Sequence, residues 1–236
     1  MKILSVECSA TPASCAIIDD GKIIASSFIN TKLTHSQTLM QMITNTLDNS
    51  ATKLSDIDKI AVAVGPGSFT GLRIGISAVK GLAAPSKLPC IPVSTLDGMA
   101  EMFVSQDCVI CAVMDARCNQ FYNALFESNN GAITRLCDDR ALLGGELKDE
   151  LLKISTDKKI ILCGDGANLF YKTVSDMPNV SLAPEFLKYQ SAVGIGLFAY
   201  KNNDTVTAVS SEELLPLYLR LPQAERELKA KTEAQK

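Results

Sequence analysis

An α/β fold, with mixed sheets flanked by helices in two similar halves, is predicted by three observations. Strand-like apolar runs are followed by helical patterns twice along the chain, so the halves share a rhythm without a visible sequence repeat. The run over residues 60–64 is apolar at every position, as a strand covered on both faces must be. Helical segments also stand between the strands expected to run parallel, as right-handed crossovers require.

In chain order, residues 2–6, 14–18 and 22–28 read as three short strands, with Asp19-Asp20-Gly21 as the hairpin turn between the second and third. Thr34-His35-Ser36-Gln37 has the form of a capping box with Thr34 as N-cap, and Leu39, Met42, Ile43 and Leu47 follow at helical spacing. His35 falls in the first turn, where it reads as a partly exposed polar residue. The strand at 60–64 closes in Gly65-Pro66-Gly67, because proline cannot continue a central strand and glycine supplies the dihedrals of a tight turn.

Ser68 is the expected N-cap of a helix over 69–83. Gly71, Gly75 and Gly81 within it each cost about 1 kcal/mol relative to alanine, so packing must offset them. With Gly71, Gly75 and Ala78 along one side and Leu72, Ile76 and Val79 along another, this helix is apolar almost all round. One face should meet its own sheet, and the small-residue face should admit another helix or a partner chain. A strand at 90–93 and a helix at 95–103 complete the first half.

The second half opens with strands at 108–114, 120–127 and 132–137, followed by a helix at 146–153. A strand at 159–163 ends in Gly164-Asp165-Gly166, and helices are expected at 167–174 and 191–200. Beyond Pro216-Leu217-Tyr218-Leu219-Arg220 the tail is charged and is expected to end as a solvated or frayed helix.

A net charge of −3 argues against a broad basic surface for nucleic acid. No apolar run reaches the length of a membrane span, and the chain starts directly with a strand, which points to the cytoplasm and away from a membrane. The eight cysteines sit mostly in strand-like runs, the pattern of reduced, buried thiols. Cys108 and Cys111 form a lone C-x-x-C with no second pair at zinc-site spacing. With one histidine, His35, paired-histidine zinc chemistry is excluded.

A strand, a glycine turn and a helix N-terminus form an anion site in many nucleotide-binding proteins. Here Gly71-Leu72-Arg73 stands where the P-loop needs lysine and a hydroxyl, and Gly65, Gly67 and Gly71 miss the dinucleotide spacing by one residue.

The motif GPGSFTGLRIG at residues 65–75, with the N-terminal hairpin strands and the two similar halves, resembles the TsaB (YeaZ) family of the bacterial tRNA threonylcarbamoyladenosine pathway. Met114-Asp115-Ala116-Arg117 followed by Phe121-Tyr122 is similar to its second-half signature, and Pro216-Leu217-Tyr218-Leu219-Arg220 with Ala224-Glu225 to its C-terminal pattern. The resemblance covers nearly the whole length. It implies two subdomains of the actin, sugar kinase and Hsp70 (ASKHA, RNase H-like) type. These are residues 1–104, carrying the pairing helices, and 105–220, followed by a charged tail at 221–236.

The resemblance further implies a non-catalytic partner subunit, required with TsaD and the ATPase TsaE for threonylcarbamoyl transfer to N6 of adenosine 37 in tRNAs reading codons that begin with A. TsaD would be its heterodimer partner, a second copy its partner when alone, and tRNA would be reached only through the complex. ATP and a metal ion are expected in the partner subunits. In TsaD two metal-binding histidines stand four residues apart, and the matching places here are Thr95 and Met99, neither a good hard-metal ligand.

The superfamily's first phosphate loop leaves a trace in Glu7-Cys8-Ser9, with Glu7 replacing the usual aspartate, and the second would lie at Gly164-Asp165-Gly166. The residues expected at the partner interface are His35, Leu39 and Met42 on the first helix. On the second they are Phe69, Gly71, Leu72, Arg73, Gly75, Ile76, Ala78 and Val79. The alternatives are a small-molecule kinase of the same superfamily, for which Glu7, Asp115 and Asp165 are the available carboxylates, and a peptidase. Asp115 beside Arg117 otherwise reads as a structural ion pair, and the peptidase lacks a visible nucleophile, base and metal set.

Overall fold

A computed structural model describes residues 1–154 and 157–220. The charged tail at 221–236, with Ala224 and Glu225, lies outside the described residues. The first sheet runs β3(Lys22–Ile29)-β2(Ala13–Asp19)-β1(Lys2–Glu7)-β4(Lys59–Gly65)-β5(Cys90–Ser94). Its first three strands pair antiparallel, and β1, β4 and β5 are parallel. The hairpin turn is where the sequence places it, with Asp20 and Gly21 both left-handed, as a primed two-residue turn requires.

The second sheet repeats this plan. Strands β6(Cys108–Asp115), β7(Gln120–Asn129) and β8(Ala132–Arg135) pair antiparallel, and β10(Ile160–Cys163) and β11(Val180–Leu182) extend β6 in parallel. A short β9(Arg140–Leu143) pairs with the other end of β7. The helices are α1(His35–Asn49), α2(Phe69–Ala83), α3(Thr95–Glu101), α4(Gly144–Lys153), α5(Ala167–Val174), α6(Glu185–Lys188) and α7(Ala192–Lys201). Among the described residues, no helix is long and apolar enough to cross a membrane.

Alternation along β1 feeds two cores. Leu4 and Val6 face Leu39, Met42 and Ile43 of α1 and Ile76 and Val79 of α2. Ile3 faces the other way, with Ile18, Ala61 and Val93, onto Ala192, Ile195 and Ala199 of α7. In the second sheet, Leu96, Met99 and Ala100 of α3 and nearby Phe103 cover the Ile110, Ala112 and Phe126 side, while α4 and α5 cover the other.

Each lobe therefore borrows a helix: α3 follows the first sheet but packs on the second, and α7 follows the second sheet but packs on the first. The two cross where a Cβ at Gly194 would overlap the Gly98 carbonyl oxygen, so the backbones touch directly. A helix C-terminal to residue 105 thus completes the core of the first sheet.

After α7 the chain returns to the first sheet. Val209 exchanges two 2.8 Å hydrogen bonds with Cys90 on edge strand β5, and Leu214 is fully buried among the α1 and α2 core residues. Residues 209–220 form a strap over the first lobe, with a turn at 211–213, which ends where Arg220 donates to the Ala116 carbonyl of the second, at 2.5 Å.

Candidate pairing face and interlobe cleft

The glycine turn packs against the chain itself. A Cβ at Gly65, whose φ is +130°, would overlap the Leu217 carbonyl oxygen, and one at Gly67 would overlap that of Ser9. Ser68 N–H donates to the Ser9 carbonyl at 2.6 Å, and the Ser68 hydroxyl accepts from Gly71 N–H at 3.3 Å, capping α2. At the start of α1, the Gln37 side chain accepts from Thr34 N–H at 3.2 Å.

Burial divides the expected interface residues into two groups. Leu39 and Met42 on α1, and Leu72, Ile76 and Val79 on α2, are buried in the chain's own core. Gly71 and Gly75 also face inward: a Cβ at Gly71 would overlap the Cys8 carbonyl oxygen, and one at Gly75 would stand 3.4 Å from Cys8 Cβ. These side chains offer a partner little surface, at most 4% of any of the five apolar ones. His35 is half-buried, with its ring Nε2 donating to the Ala10 carbonyl at 2.8 Å. Of the expected set, Phe69, Arg73 and Ala78 keep outward surface. The outward positions not foreseen are Met40 on α1, 46% exposed, and Ser77 and Gly81 on α2.

Glu7 at the end of β1 lies close enough to Asp165, just after β10, for their charges to interact. Glu7 is 1% exposed, accepts from Ser9 N–H and leaves its Oε2 without a hydrogen-bond partner among the described residues. Burial pushes its carboxyl up to about 7; hydrogen bonds from Ser9 oppose the shift and the Asp165 charge adds to it. Asp165 is raised as well, first by burial, although Gln190 donates to it at 2.7 Å.

These residues do not fit a phosphate cradle. Gly164 N–H is spent on the Lys188 carbonyl at 2.5 Å and Gly166 N–H on the Val113 carbonyl at 3.2 Å. A Cβ at Gly166 would stand 2.8 Å from Asp115 N, so that glycine serves strand-to-turn packing. The buried acidic side chains beside the spent amides add no positive charge to hold a phosphate.

The places matching the histidine pair carry buried Thr95 and Met99, the latter in the α3 core. Among the described residues, no group of three or more histidine, cysteine or acidic side chains could hold a metal ion. Cys108 and Cys111 lie three apart on β6 and enter opposite cores, so they cannot act as a pair. Asp115 accepts from the Arg117 backbone N–H at 2.7 Å, which corrects the expected ion pair to a backbone turn.

Residues 22–226 match the family model described as TsaD: tRNA N6-adenosine threonylcarbamoyltransferase. The chain is 28% identical over 229 residues to the tRNA threonylcarbamoyladenosine biosynthesis protein TsaB of Bacillus subtilis, covering 95% of this chain and 96% of that protein. Its identity to the Escherichia coli protein of the same name is 34% over 155 residues, 65% of this chain and 67% of that one. The solved structure of YeaZ from Pseudomonas aeruginosa superposes with a TM-score of 0.77 at 27% identity, over 92% of this chain and 99% of that one.

Component A of (R)-2-hydroxyglutaryl-CoA dehydratase from Acidaminococcus fermentans, at TM-score 0.51, 13% identity and coverage of 87% and 100%, shares the fold alone. These matches place the two lobes in the ASKHA fold and support threonylcarbamoyladenosine synthesis over a sugar or small-molecule kinase. With its repeated sheets and its GPGSFTGLRIG turn folded against its own first loop, the chain belongs to the TsaB (YeaZ) family.

Proposed function

We propose that this chain is a non-catalytic partner subunit in tRNA threonylcarbamoyladenosine synthesis, pairing through the outward faces of α1 and α2 with a TsaD-type transferase. The observation that carries the pairing face is Gly81. Glycine there costs about 1 kcal/mol of helix stability, yet a Cβ at that position would meet nothing within 4 Å. No packing among the described residues requires it. With Ser77 and Ala78 it makes a low ridge on α2, which lets a second backbone approach closely. Met40 adds exposed apolar surface of a type enriched at interfaces.

The cleft supports the same division of labour. A chain whose loop amides are bonded to its own carbonyls contributes surface rather than chemistry, so ATP and metal act in the transferase and in TsaE. The net charge of −3 leaves tRNA to be held by the complex. In the absence of the transferase a second copy takes the same face, so homodimer and heterodimer exclude each other. The chain works in the cytoplasm.

The experiment is threonylcarbamoyl transfer to tRNA by purified TsaD and TsaE with ATP and threonylcarbamoyl-adenylate, with and without this chain, beside the chain alone. Modification that needs both this chain and TsaD supports the proposal. Turnover by the chain alone, or indifference to its omission, overturns it.

A further inference from the structure

Two segments nearly 150 residues apart, the glycine turn before α2 and Pro216-Leu217-Tyr218-Leu219-Arg220, meet in one contact. Leu217 N–H donates to the Val64 carbonyl at 2.7 Å, while the Leu217 carbonyl lies against Gly65, where any Cβ would overlap it. The next residue, Tyr218, stacks on Phe69, the first residue of α2, with ring centroids 4.4 Å apart and planes at 25°. Arg73, one turn later, donates from Nε to the Tyr218 hydroxyl at 2.8 Å and holds its guanidinium 5.6 Å from that ring. Farther along α2, Lys80 Nζ donates to the Glu212 carbonyl at 3.2 Å. The strap therefore runs beside α2 and grips its N-terminal turn.

A helix's first turn frays unless something satisfies and packs it, because its leading N–H groups have no intrahelical partner. The Ser68 cap supplies one hydrogen bond, and Tyr218 supplies packing and a second-turn anchor.

We propose that Tyr218 is a positioning residue for pairing: it latches the strap onto Phe69 and Arg73 and so holds the α2 face in the geometry that its partner recognises. The inference rests on the pairing function proposed above. A latch of this kind acts by pre-organisation, because a helix end ordered before docking need not be ordered at docking. It also explains Gly65, whose missing side chain makes room for the strap.

The test uses the full chain and its purified TsaD-type partner, with affinity by titration calorimetry, amide hydrogen exchange over residues 69–73, and the melting temperature of the chain alone. Tyr218→Ala is expected to speed exchange over 69–73 at least tenfold and to weaken pairing about tenfold. Tyr218→Phe, which keeps the ring on Phe69, should restore pairing to within threefold of the parent. If Tyr218→Ala does not fold, Tyr218→Leu, which keeps apolar bulk but loses the stack, is read by the same measures. Parent-like pairing and exchange in the folded variant overturn the latch, and if Ser77→Leu still abolishes pairing the pairing face itself stands. Parent-like pairing by Ser77→Leu as well removes both.

Discussion

On the inner face of α2 a Cβ at Gly71 would overlap the Cys8 carbonyl oxygen, whereas at Gly81, less than three turns away, it would meet nothing within 4 Å. The inner glycine is needed so that the helix can lie against the loop after β1. The outer one has no such use among the described residues. Small residues on one helix thus serve internal packing on one side and, in the proposed function, external docking on the other. A composition-level description of an apolar, glycine-containing helix cannot separate these uses; the atoms facing each position can.

The largest effect should come from the inner face. Gly71→Val is expected to cost more than about 3 kcal/mol, because the obstructing atom is backbone and cannot swing aside. Urea denaturation checks this, and a loss below about 1 kcal/mol would show that the loop yields.

The same loop begins at Glu7, so it should also carry a pH dependence. The folded carboxyl sits at about 7 against 4.5 when unconstrained, so between those values the native state binds more proton than the unfolded chain. That contribution is fully present below pH 4.5, falls as pH rises and is lost above about 7, for a total of at most about 3 kcal/mol. Glu7→Gln should flatten this part of the profile and make the chain more stable than the parent at pH 8. Denaturation at pH 5 and pH 8 decides, and a Glu7→Gln chain that is less stable at pH 8 would count against the burial argument.

The outer face should give the smallest change in stability, with the opposite sign. Gly81→Ala is expected to stabilise the chain by about 1 kcal/mol, since the new methyl group meets nothing and the helix propensity gain is unopposed. A destabilised Gly81→Ala would place that face against something internal.

Strand-forming runs and capped helices were legible from local pattern. Residues 69–83 and 167–174 match α2 and α5 end to end, and the three N-terminal strands fall within a residue at either end. Short β9, β11 and α6 were missed because three or four partly exposed residues show no period. The site was less legible. Spacing puts Gly71 and Gly75 on a small-residue face with Ala78, but only the return of the loop at Cys8 turns the two glycines inward. The landing of α7 on the first sheet and the grip of Tyr218 on Phe69 are contacts between distant segments, which no local periodicity records.

The central claim is that the outward face of α2 pairs with a transferase of the TsaD type, and Ser77→Leu addresses it most directly by adding bulk on an exposed position. Sedimentation velocity of an equimolar mixture of the variant chain with purified TsaD should show two separate species, against one heterodimer for the parent, with the variant's melting temperature within about 2 °C of the parent's. A heterodimer formed equally well by Ser77→Leu would contradict the assignment of this face.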